Sequence, residues 1–191
     1  ALPGDVMDPQ LGGDETRYQS LAYRVSNIIH CAAIDNFYLP YTAIRRTNVD
    51  GTVHTLNFSL TGAKKRFLHI SSCAASLFQP GAKDVDTLGL RNGYAQSKYV
   101  SEKIVVGLAA AGYSALSFRL GYLYHLGLTT LDDDDAVETS VVTTKEMGLI
   151  PDMNVVFDLV LIEHVSKWIS DREFSTEGKP TDTYNNKPTL T

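Results

Sequence analysis

A phenol and an ammonium group stand four residues apart in the stretch Tyr94-Ala95-Gln96-Ser97-Lys98. On a helix, positions four apart share a face, so both groups would reach one cleft. A phenol titrates near about 10 and exchanges protons poorly at neutrality unless a nearby cation favours its charged form. Lys98 is placed to be that cation. Pairs like this also arise as ordinary surface neighbours, and this one gains meaning from what precedes it. The apolar run Phe67-Leu68-His69-Ile70 ends abruptly in Ser71-Ser72. Small polar residues at the carboxyl end of a strand lie where open α/β sheets bind ligands. A serine hydroxyl there would hold a substrate carbonyl oxygen beside Tyr94.

The elements that must position these groups follow from periodicity. Residues 25–33 read as a buried strand, and residues 44–60 as a helix with Val49, Val53, Leu56 and Leu60 on one face. The serine-tipped strand follows. Residues 94–110 read as a second helix with Val100, Ile104, Val105 and Leu108 on one side, and residues 115–123 as another strand. Short apolar runs alternating with helical stretches indicate βαβ units and a parallel sheet, an α/β fold. Four aspartates at 132–135 suit the amino end of a weakly amphipathic helix over 136–147. A strand at 155–162 and a short helix at 165–169 carrying Trp168 close the pattern. No linker rich in Pro, Gly and Ser interrupts residues 1–191, so a single domain is expected.

Composition narrows the class of partner. A net charge of −5 without a basic stripe argues against nucleic acid, whose binding draws on clustered Lys and Arg. No apolar run reaches the roughly 18 to 20 residues needed to span a bilayer, and no signal peptide opens the chain. Cys31 and Cys73, each in an apolar run that reads as strand, point to a reducing compartment rather than a disulfide. A soluble, cytoplasmic protein is therefore expected. His30 and His69 lie on apolar strands and read as satisfied core residues; His54, His125 and His164 form no spaced cluster, so no metal site is expected.

Ser, Tyr and Lys in this order, with YxxxK opening a helix, resemble the catalytic set of extended short-chain dehydrogenases/reductases. Further segments resemble the thioester-reductase branch of that superfamily. Gly4-Asp5-Val6 followed by Pro9-Gln10-Leu11-Gly12 is similar to its "GD(L/V)..P.LG". His30-Cys31-Ala32-Ala33, Pro40-Tyr41, Arg45 and Asn48-Val49-Asp50-Gly51-Thr52 resemble "H.AA….PY..LR..NV.GT". The stretch from Tyr94 to Glu102, then Phe118-Arg119-Leu120-Gly121, Asp133-Asp134 and Gly148-Leu149-Ile150-Pro151, completes the match in order. The resemblance implies a Rossmann-like parallel sheet with flanking helices. It implies catalysis by Ser72, Tyr94 and Lys98, with Tyr94 serving the carbonyl oxygen, Lys98 tuning Tyr94 and holding the nicotinamide ribose, and Ser72 fixing the carbonyl. The implied cofactor contacts are Asp5, Val6, Cys31, Ala32, Ala33, Ser71, Tyr94 and Lys98. Asn48 matches a helix position that is architectural in most members. The implied cofactor is NADPH, with NADH not excluded. The implied partner is an acyl carrier domain whose phosphopantetheine arm presents a thioester for reduction to aldehyde or alcohol.

The sequence departs from that pattern. It has no GxxGxxG turn between a strand and a helix, where such domains seat the cofactor pyrophosphate. Gly12-Gly13 follows no apolar strand and reads as a turn. Cys31 stands where the family often has Asn, and Leu120 where Pro commonly follows the Arg. The chain is expected to be a piece of a longer enzyme, lacking the first Gly-rich βα units and most of the C-terminal subdomain. A nucleotide-sugar epimerase or dehydratase and a catalytically silent scaffold or binding module are the competing readings.

Overall fold

The computed structural model describes residues 1–76, 92–124, 144, 146–148 and 159–173. The chain divides into two compact units, Ala1–Tyr122 and Leu123–Thr191. The first is built around a three-stranded parallel sheet of β1 (Asn27–His30), β2 (Arg66–Ser72) and β3 (Ala115–Leu120), in that order. Both connections are helical crossovers, as parallel pairing requires. Strand β4 (Tyr122–Tyr124), which starts at the boundary, pairs with β5 (Leu159–Leu161), which leads into a helix, Ile162–Glu173. The three-stranded sheet is of the parallel α/β class that the alternating pattern predicts. The expected elements at 132–143 and 155–158 lie outside the described residues.

The first crossover is one helical run in three parts: α2 (Tyr41–Arg45), a π-helical turn (Arg46–Asp50) and α3 (Gly51–Leu60). Val49 and Leu56 are buried as the spacing predicts, but Leu60 is half exposed at the helix end. The second crossover ends in α4 (Gly93–Ala110), whose amino terminus is capped by Asn92 accepting from Ala95 N at 2.8 Å. Leu56, Phe67 and Val105 pack with Ile28, Ile104, Leu108 and Ala115, so both crossovers close on β1 to β3 through one apolar cluster. A second cluster joins Ile44, Ala74, Tyr94 and Ala95, with Ile34, Phe37 and Tyr99 against it.

Three features differ from the sequence-based expectations. A helix, α1 (Glu15–Arg24), precedes β1 with Asp14 as its cap, and only its Ala22 is buried. So weakly apolar a face leaves little periodic signal. β1 stops at His30, so Cys31 is exposed beyond the strand, and Cys73 sits in a 3₁₀ turn (Cys73–Ser76); both are free thiols. The strand expected over 115–123 breaks at Gly121 into β3 and β4. Among the described residues no helix is long and apolar enough to cross a membrane.

Candidate active site

The site is assembled at the carboxyl ends of β1 and β2 and the amino end of α4. Tyr94 lies in the first turn of α4 and is buried. Gly93 permits this: a Cβ there would stand 2.5 Å from the Leu39 carbonyl oxygen, so α4 starts in direct backbone contact with the 39–41 turn. Phe37, just before that turn, packs on the Tyr94 ring with centroids 5.0 Å apart. From the other side Ser72, at the end of β2, lies near enough to act on the Tyr94 phenol, and its hydroxyl accepts from Ala74 N at 3.2 Å. Serine and tyrosine thus meet across the strand–helix junction.

Lys98 is one turn further along α4 and is buried. Its Nζ donates to the Ile70 carbonyl at 2.9 Å and stands 5.9 Å from the Tyr94 ring centroid. Burial lowers its pKa, against the Asp35 carboxylate and the Cys31 thiol, which raise it. The Tyr94 phenol is pushed up to about 12, by burial first and then by Asp35, with Ser72 acting in the opposite direction. The expectation was a phenol tuned downward by Lys98. Instead the ammonium is directed at a backbone carbonyl, and burial governs, leaving a firmly protonated phenol.

The remaining expected residues occupy distinct places. Cys31 and Ala32 are exposed at the carboxyl end of β1, with Ala33 partly buried, and Cys31 is within electrostatic reach of Lys98. An open strand end beside a buried ammonium fits the ribose and nicotinamide end of a dinucleotide. Asp5 caps its own turn by accepting from Met7 N at 2.8 Å, and the Val6 carbonyl accepts from His54 Nδ1 at 2.9 Å. Val6 packs on Gly51, where a Cβ would come within 2.9 Å of Val6 Cγ2. Ser71 points to the opposite face of β2 from Ser72, and its hydroxyl donates to Glu102 Oε2 at 2.7 Å. It therefore belongs to the β2–α4 interface, not to the cleft with Tyr94. Among the described residues no group of His, Cys, Asp and Glu could hold a metal ion.

Sequence reasoning did not foresee how much of the site rests on Asn48. Its Oδ1 accepts from Ile34 N at 2.7 Å, and its Nδ2 donates to Ile34 O at 3.0 Å and Ser97 Oγ at 2.9 Å. Ser97 in turn donates to the Tyr94 carbonyl at 2.8 Å. The Asn48 carbonyl accepts from Thr52 Oγ1 at 2.6 Å and Ser101 Oγ at 2.8 Å. One buried amide in the π-helical turn therefore ties the loop after β1 to the first turn of α4. π-turns recur at functional sites, and an unusual helix residue bonding away from its own helix is their use here.

Residues 1–169 match the family described as Male sterility protein, an NAD-binding domain family. The chain is 27% identical over 195 residues to the L-2-aminoadipate reductase large subunit of Eremothecium gossypii, covering 92% of this chain and 14% of that protein. It is 36% identical over 137 residues to the nonribosomal peptide synthetase asaC of Aspergillus flavus, covering 64% of this chain and 13% of that protein. The structure superimposes on the terminal R domain from the myxalamid PKS-NRPS biosynthetic pathway with a TM-score of 0.82 at 28% identity, over 93% of this chain and 47% of that one. The chain thus spans a small part of the curated relatives and about half of that solved domain. A match over residues 1–169, carried on a parallel α/β sheet with a serine, a tyrosine and a lysine near the carboxyl end of its middle strand, places the chain in the Male sterility protein family of NAD-binding domains.

Proposed function

We propose that this chain supplies the catalytic part of a cytoplasmic reductase domain that acts on an acyl thioester carried by a phosphopantetheine arm, yielding an aldehyde or, after a second reduction, an alcohol. The observation that carries the reading is the Ser72–Tyr94 hydroxyl pair with a protonated phenol, one helical turn from the Lys98 ammonium. The names of the similar proteins, an aminoadipate reductase and synthetase-linked domains, support the thioester as substrate and a carrier domain as partner. A bound nicotinamide cofactor, NADPH in this proposal, supplies the hydride. Cys31, Ala32 and Ala33 would flank it at the β1 tip, Lys98 would meet its ribose, and Asp5 and Val6 its adenine side.

Ser72 and Tyr94 act on the carbonyl oxygen. As that oxygen gains negative charge, the two hydroxyls donate hydrogen bonds to it, and Tyr94 gives up its proton. A phenol held near 12 stays protonated throughout the neutral range, which a reduction needs at its start. The hemithioacetal then breaks its carbon–sulfur bond, releasing the carrier thiol and leaving the aldehyde. The test joins residues 1–191 to a glycine-rich pyrophosphate-binding segment and supplies an acyl-carrier thioester with NADPH or NADH, following nicotinamide absorbance. Tyr94→Phe should slow turnover by about 10²-fold or more. Unchanged turnover in that variant would reject the assignment.

A further inference from the structure

Behind the Ser72–Tyr94 pair, three charged or polar side chains from three elements meet. Ser71 on β2 donates to Glu102 Oε2 at 2.7 Å. Arg119 on β3 donates to the same carboxylate through Nη2 to Oε1 at 2.6 Å and through Nε to both oxygens at 3.0 Å. Ser71 and Arg119 are direct register partners across β2 and β3, so Glu102 of α4 is held by two adjacent strands at one level. Ser71 and Glu102 are 3% and 7% exposed.

The spacing along the chain gives this cluster its consequence. Glu102 is one turn beyond Lys98 and two beyond Tyr94 on the same face of α4, about 12 Å from Tyr94 along the axis. Ser71 immediately precedes Ser72. Strand β2 therefore grips two points of one helix, its Ile70 carbonyl at Lys98 and its Ser71 hydroxyl at Glu102. Two such points fix both the slide and the roll of α4 over the tip of β2. An N–H···O hydrogen bond spans only about 2.7 to 3.2 Å, so a helix shift of about 1 Å would break the one from Lys98 Nζ to the Ile70 carbonyl. With its guanidinium exposed to solvent, the Arg119–Glu102 ion pair adds little stability. What its forked geometry does add is a fixed position.

We propose that Glu102 is a positioning residue for the reduction: through Ser71 and Arg119 it sets the height of α4, and so keeps Lys98 on the Ile70 carbonyl and Tyr94 beside the tip of β2. This rests on the reductase reading above.

The experiment uses the complete reductase polypeptide and three variants: Glu102→Ala, Ser71→Ala and Glu102→Gln. Measured for each are single-turnover hydride transfer from NADPH to the acyl-carrier thioester, the KM for that thioester, the melting temperature, and titration of the Tyr94 phenol by ¹³Cζ NMR without cofactor. Glu102→Ala should slow hydride transfer by about 10²-fold with KM within about twofold. Its phenol titration should move from about 12 down toward 10, as the loosened helix admits water. Glu102→Gln should recover most of the rate, since its amide can accept from Arg119 and donate to Ser71. Ser71→Ala leaves the Glu102–Arg119 pair in place, and decides the matter if Glu102→Ala fails to fold: it should slow hydride transfer at an unchanged melting temperature. Full hydride transfer and an unmoved Tyr94 titration in Ser71→Ala, and in Glu102→Ala where it folds, with only the melting temperature lowered, would overturn the proposal. A wild-type protein that reduces no acyl thioester while the variants still move the Tyr94 titration would reject the reductase reading and support the positioning role.

Discussion

Acid should destabilise the sheet beneath Lys98 through two histidines. His30 and His69 are register partners on β1 and β2, are 4% and 1% exposed, and stack with ring centroids 5.9 Å apart. The Thr52 hydroxyl has one proton, given to the Asn48 carbonyl, so its oxygen accepts from His30 Nε2–H at 3.0 Å. His69 Nδ1 bonds Ser117 Oγ at 3.0 Å. Burial, followed by the Lys98 ammonium, holds His30 down to about 4. Burial, Lys98 and then His30 hold His69 down to about 3. Both folded values lie below the ordinary 6.5, so the stabilisation is present above 6.5 and is lost as pH falls toward the folded values. Each histidine then costs about 1.4 kcal/mol per pH unit, about 2 kcal/mol by pH 5. Together they would consume a large part of a typical domain stability of about 5 to 15 kcal/mol. Urea melts at pH 7, 6 and 5 measure this directly. His30→Gln and His69→Gln keep a group able to bond Thr52 or Ser117 but cannot titrate. Each should lessen the loss by about 2 kcal/mol between pH 7 and 5, and the double variant by about twice that. A double variant that loses stability over this interval as steeply as the wild type would refute the reasoning.

Three further outcomes follow from the geometry. Asn48→Ala strands both backbone groups of Ile34 and should cost about 2 to 3 kcal/mol in urea melts; turnover should fall as well, because Phe37 on the same loop covers Tyr94. Gly93→Ala drives a methyl into the backbone of the 39–41 turn and should cost about 1 to 3 kcal/mol, with hydride transfer lost before the fold is, read by comparing turnover with far-UV circular dichroism. Lys65, 5% exposed, donates to the carbonyls of Ala22 at 2.7 Å, Thr61 at 2.5 Å and Ala63 at 2.9 Å, so Lys65→Met should cost about 2 to 4 kcal/mol by thermal melting and leave KM for the thioester unchanged.

Much of the frame was legible because apolar periodicity reports burial. The strand ending in Ser71-Ser72 and the helix over 94–110 were found within a residue or two, since Leu68, Phe67 and Val105 are core residues at the right spacing. The helix α1 was missed because it buries one alanine and is otherwise polar. The π-helical turn was missed because its five residues keep helical side-chain spacing almost intact, and only backbone bonding distinguishes it. For the site, the order Ser72, Tyr94, Lys98 was readable from spacing. The split in role between Ser71 and Ser72 was readable in principle, because strand neighbours face opposite ways, yet what lies behind the sheet was not. The direction of the Tyr94 shift depends on how deeply its ring is buried and on Asp35, neither of which a one-turn spacing discloses.

The helix that carries Tyr94 and Lys98 buries a face that hydrophobicity would not have chosen. Ser97, Lys98, Ser101 and Glu102 are all buried on α4, while Ile104 and Leu108 are only partly covered. Buried polar groups are costly unless each finds a partner with good geometry. Here each does: Ser97 with Asn48 and the Tyr94 carbonyl, Ser101 with the Asn48 carbonyl, Lys98 with Ile70, Glu102 with Ser71 and Arg119. An apolar face of equal area would pack at many small offsets with similar energy. A row of directional bonds tolerates few. The proposed reaction requires a phenol placed to within a fraction of an ångström of a strand-tip hydroxyl, and α4 gives up non-directional burial in return for that placement.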